Sequence, residues 1–178
     1  MIRSLVLLVA ALALALPGHA SAQSERGPST PAERRRVVEI TRKLEKQPFG
    51  KGANTDRVWL MKWIDEVPDV TVRYCPGPLY DLVDGTAQEK ALWVQSLFGM
   101  ASFEIEHPDE AADWVKTQIA GLDSAMAAYQ STVKANPDSK MKVFERLLAA
   151  KKAGKLADVV KDQMNTCNPE YQSAPDAI

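Results

Sequence analysis

The chain has 178 residues, 25% of them charged, and its 22 basic and 23 acidic side chains leave a formal net charge of −1. Nucleic-acid binding requires a basic excess, which this balance excludes. Only two histidines occur, which excludes zinc sites built on several of them.

Met1–Arg3 is a short positive start, Leu5–Leu16 an unbroken apolar run, and Pro17-Gly18 breaks it before the small residues Ala20-Ser21-Ala22. That is the layout of a secretory signal peptide, with cleavage expected after Ala22. The run is shorter than the roughly 20 apolar residues that cross a bilayer, so no stable membrane anchor is expected after cleavage. The expected destination is the periplasm or the exterior. Residues 23–29 read as a flexible leader, 30–167 as one helical domain, and 168–178, with two prolines, as a mobile tail.

Thr30-Pro31-Ala32-Glu33 is a capping box with proline at the first helical position. The helix it opens is expected to reach about Lys46, with Val37, Ile40, Thr41 and Leu44 inward. Pro48, Gly50 and Gly52 make a turn. A second helix is expected over Thr55–Glu66 with Asn54 as its cap. Val58, Trp59, Leu60, Met61, Trp63, Ile64 and Val67 give it a wide apolar surface. Pro68 ends it. Asp69–Tyr74 alternates like a strand, but one strand cannot make a sheet, so an extended connector is expected. Cys75-Pro76-Gly77-Pro78 is a stiff corner, and Leu79–Val83 has room for one helical turn.

The stretch Thr86–His107 reads as the central helix. Thr86 and Glu89 form a second capping box. Ala87, Ala91, Val94, Phe98, Ala101 and Ile105 line one face, and Trp93, Leu97 and Met100 a neighbouring row. A helix apolar on two sides needs cover from two sides. Pro108 stops it and is expected to open the next helix, with Asp109, Glu110 and Asp113 in the first turns, where negative charge suits the helix dipole. Ala112, Val115, Ile119, Leu122, Met126, Tyr129 and Val133 mark its inward row, and Gly121, Ala125 and Ala128 allow close approach of a neighbour. Asn136-Pro137 ends it. A further helix is expected from Asp138 or Ser139 to about Lys152, closed by Gly154. A short one follows over Leu156–Thr166. The expected fold is therefore all-α: a single-domain bundle of about five to six helices around the central helix (about 86–106), with an irregular segment at 68–85.

In an oxidising compartment Cys75 and Cys167 pair most simply as a disulfide. The loop would be about ninety residues long, and chain entropy then contributes at most ~4–5 kcal/mol. Acidic residues dominate between Asp65 and Asp113, where only Arg73 and Lys90 are basic. Glu104, Glu106, His107, Asp109 and Glu110 crowd the turn after the central helix. Glu104 continues the row of Trp93, Leu97 and Met100, a position where burial raises a carboxyl pKa. Carboxylates of unequal pKa can hydrolyse glycosidic bonds, and oxygen ligands suit Ca²⁺, although the spacing is not that of an EF-hand loop.

No GxSxG turn, HExxH, CxxCH, P-loop or dinucleotide fingerprint occurs. No catalytic residue, metal site or cofactor is therefore assigned. The candidate binding residues are Glu104, Glu106, His107 and Asp109 at the acidic turn, and the aromatics Trp59, Trp63, Trp93 and Tyr74. The leading expectation is a non-enzymatic exported protein that binds another protein. The alternatives are a carrier holding a small apolar ligand among those aromatics and a carboxylate-dependent cell-wall hydrolase. In class the chain resembles small exported two-cysteine helical proteins, secretion-toxin immunity proteins and stress chaperones among them. That resemblance carries no motif and so no site.

Overall fold

Two capping boxes start the helices that frame the fold. In the computed structural model, which describes residues 26–73, Cys75 and 77–167 with the last four as backbone alone, Glu33 and Glu89 each reach back to the N–H of their threonine cap. Those bonds are 2.8 Å at Thr30 and 2.7 Å at Thr86, and each threonine Oγ1 accepts from the glutamate N–H in return. The described residues form six α-helices and no strand: α1 Pro31–Lys46, α2 Ala53–Glu66, α3 Ala87–Glu106, α4 Trp114–Ala135, α5 Lys142–Lys152 and α6 Leu156–Cys167. None of these helices is long and apolar enough to cross a membrane. The expected signal peptide at 1–22 and tail at 168–178 lie outside the described residues.

Three boundaries differ from expectation, each for a local reason. Helix α2 is entered through Gly52 in the left-handed conformation, at φ 82°, which glycine adopts without steric cost. The helix therefore begins at Ala53 and Asn54 falls inside its first turn instead of capping it. Pro108 opens only a 3-10 turn, Pro108–Glu110. Asp113 then caps α4 by accepting from the Lys116 N–H at 3.1 Å, so Asp109 and Glu110 precede the helix and Ala112 is exposed ahead of it. After Asn136 another 3-10 turn occupies Pro137–Ser139, with the Asn136 side chain accepting from the Asp138 N–H, and α5 starts only at Lys142. Gly154, at φ 69°, closes α5 as its position predicts.

Helix α3 lies between two cores. On one side Leu92 packs with Leu122, Met126 and Tyr129 of α4, Phe144 and Leu147 of α5, and Leu156 and Val160 of α6. On the other, Leu97, Phe98 and Ala101 pack with Val37, Ile40 and Leu44 of α1 and Leu60 and Trp63 of α2. Trp93 touches both. Each side removes a full apolar row from water, at about 25 cal/mol per Å² of apolar surface. Helices α3 and α4 form the antiparallel hairpin that the short 107–113 link imposes. Its close approach depends on Gly99, where an added Cβ would lie 2.5 Å from Ser124 Cβ and 2.8 Å from the Ala120 carbonyl oxygen.

A polar seam crosses these helices, and periodicity alone did not reveal it. The Gln95 amide, 1% exposed, donates to the Thr41 carbonyl at 3.3 Å and to Ser124 Oγ at 3.0 Å. Ser124 in turn donates to Glu45 at 2.7 Å. Arg42 then bridges Glu45 and Glu106, each at 2.8 Å.

The connector after α2 is extended but makes no sheet, and side-chain hydrogen bonds tie it to the rest of the fold. Asp69 accepts from the Ser29 N–H and hydroxyl at 2.7 and 2.9 Å and from Arg34 at 2.7 Å. Glu104 accepts from the Thr71 N–H at 3.1 Å, and Gln118 donates to the Arg73 carbonyl at 2.7 Å. The connector ends at buried Cys75, whose Sγ lies 3.8 Å from the Gln163 carbonyl oxygen on α6. The Cys167 side chain and Tyr74 lie outside the described residues.

Candidate functional site

Leu60 and Trp63 fasten α2 to the core, at 0% and 2% exposed. Positions three and four apart share a helix face, so residues 54, 57, 58 and 61 look away from that contact, along a second edge of α2. The first two turns of α3 stand opposite with Ala87, Gln88, Lys90, Ala91 and Val94. Between these walls runs an open groove of about 740 Å³, which the turn residues Phe49 and Gly50 also line. Ala53 and Ala91, both buried, also line it.

Three large hydrophobic side chains remain in water along this groove: Val58 at 61%, Phe49 at 49% and Met61 at 37% exposed. Single exposed hydrophobics are ordinary, but a contiguous set is not. The lining carries two cations, Arg57 and Lys90, and no carboxylate. The Arg57 guanidinium donates to the Pro48 carbonyl and lies 5.3 Å over the Phe49 ring. Its Nε is buried with no hydrogen-bond partner among the described residues. Burial holds the Arg57 pKa below its ordinary value, outweighing the neighbouring Asp56 charge.

The acidic turn does not assemble into one site. With 3.6 residues per turn, Glu104 and Glu106 diverge to different clefts. Glu104 is half-buried in a polar cleft of about 120 Å³, with Asp69, Thr71, Arg73, Trp114 and Gln118 around it. Burial raises its pKa above the usual carboxyl value, against the opposing effects of the Thr71 N–H and the Arg73 charge. The other carboxylate of that cleft, Asp69, is held by Ser29 and Arg34. Glu106 and His107 line a separate crevice with Arg42, Glu45, Asp123 and Ser124. There Glu106 is paired to Arg42, and the His107 ring lies 4.8 Å from that of Phe103. Asp109 is exposed. No group of three or more metal-ligating side chains occurs among the described residues.

The candidate aromatics are spread through the bundle. Trp63 is core, Trp93 packs between the two cores, and Trp59 lies beneath the Arg36 guanidinium at 4.1 Å. None of these three lines the groove. Its own residues were missed because Val58 and Met61 read from the sequence simply as part of the apolar surface of α2. The available signal was that surface's width, which exceeds what one neighbouring helix covers.

No protein-family model, curated protein or solved structure matches the chain. Its class is therefore defined by architecture: an all-helical bundle with an open apolar groove between two of its helices.

Proposed function

We propose that this chain is an exported helical protein that acts by binding another protein, whose apolar helical segment lies in the groove between α2 and α3. One observation carries the reading: Phe49, Val58 and Met61 are exposed together along a single groove. Amphipathic helices dock in such grooves through anchors spaced three and four residues apart. A small-molecule carrier would need to enclose most of its ligand, and this groove is open along its length. Export rests on the layout of residues 1–22. The same compartment favours a Cys75–Cys167 bridge, which is supported by the approach of Cys75 Sγ to Gln163, one helical turn before Cys167.

Photo-crosslinking tests the binding reading. A benzophenone amino acid at Val58 should yield a discrete adduct in the native host, and the same group at exposed Gln130 on α4 should not. Identical patterns at the two positions, or no adduct at Val58, would remove the groove from the binding surface.

A further inference from the structure

Resting on the groove as the binding surface, we propose that the segment it receives is acidic, with a carboxylate beside its apolar face that Arg57 and Lys90 bind from opposite walls. The groove's lining carries this inference, because its charged side chains are the two cations Arg57 and Lys90 and it holds no carboxylate. Arg57 and Lys90 have no carboxylate partner among the described residues, although acidic residues dominate the sequence from Asp65 to Asp113 that surrounds Lys90. Asp56, next to Arg57, is turned to Lys43 at 2.7 Å.

Arg57 is also pre-positioned. Its bond to the Pro48 carbonyl and its place over Phe49 fix the guanidinium against the apolar wall, and its buried Nε has no acceptor among the described residues. A planar guanidinium held this way suits a carboxylate oxygen. Closure by an apolar helix would exclude water and strengthen that pairing. A basic segment would meet like charge on both walls, so the pair also selects against such partners.

The experiment uses a displayed library of amphipathic helices of ~16 residues, long enough to hold helical structure. Their apolar face is fixed, and their polar positions are randomised among Glu, Gln and Lys. Selection on the full chain should enrich Glu at positions flanking the apolar face. Replacing that Glu with Gln in a synthetic winner should weaken binding about tenfold, the scale of a lost charge-assisted hydrogen bond. Arg57→Gln and Lys90→Gln should each shrink the Glu-over-Gln preference. Lys90 is exposed, so its variant keeps the test open if Arg57→Gln disturbs the turn before α2.

Winners that are neutral or basic, or a Glu preference surviving in both variants, would overturn the inference. If those winners still lose binding on Val58→Asp, the groove stands and only its charge selectivity fails. If no helix binds in a Val58-dependent way, the groove reading fails and the inference with it. Val58-dependent binding of sodium dodecanoate in the absence of any peptide binding would overturn both, by making an anionic amphiphile the occupant.

Discussion

Glu104 shows how one half-buried carboxyl sets a pH dependence. Its pKa is raised in the fold by burial, above the ordinary value of 4.5. The folded state therefore holds the proton more tightly than the unfolded chain does. The sign follows: Glu104 costs no stability below the ordinary value and lowers stability as pH rises from there through the folded pKa. Glu104→Gln keeps an acceptor for the Thr71 N–H and removes the titration. Chemical denaturation across that window should show the wild-type chain losing stability relative to the variant, and parallel curves would contradict the burial effect. Gly99 is a purely steric case. Gly99→Ala forces apart the backbones of α3 and α4, because its Cβ would meet the Ala120 carbonyl oxygen at 2.8 Å. A loss of about 1–3 kcal/mol is expected by the usual cost of overpacking. Gly154→Ala has no neighbour within 4 Å and adopts φ 69°, so it should cost only the left-handed backbone penalty, about 1–2 kcal/mol. Urea unfolding of the two variants separates these causes when combined with the hairpin's near-ultraviolet spectrum, which only Gly99→Ala should alter.

The capping boxes give a direct test of individual elements. Thr86→Ala removes the acceptor for the Glu89 N–H and should destabilise the protein by about 1 kcal/mol, the usual worth of an N-cap. An unchanged unfolding midpoint would show that α3 is held by packing alone. These boxes were legible because both partners lie three residues apart in the chain. The start of α2 was not. Asn54 has the chemistry of a cap, but Gly52 has the backbone freedom the turn needs, and the turn prevailed. The buried polar seam was also invisible, since Gln95 finds its partners on α1 and α4 and neither contact leaves a periodic trace. The acidic turn misled in the opposite sense. Residues clustered in sequence at 104–110 separate in space because a helix turns each residue away from the next. The groove required knowing which of seven apolar positions on α2 remain uncovered, and periodicity gives a face's width without its cover.

For the whole molecule, the proposed Cys75–Cys167 bridge would tie the connector to α6. Thiol titration of the unfolded, unreduced chain should find no free thiol, and reductant should lower the unfolding free energy by no more than the ~4–5 kcal/mol that loop closure allows. Two titratable thiols would remove the bridge and leave the helical packing intact. The division of the interior into two cores has a further consequence for motion. Helix α3 buries ten residues whereas α2 buries only Ala53, Leu60 and Trp63. Sub-global opening begins where the fewest apolar contacts resist it, so backbone amides of α2 should trade hydrogen for deuterium well before those at the middle of α3. One wall of the groove is then a leaf that swings while the other stays fixed, and an occupant should slow exchange across Ala53–Glu66 first.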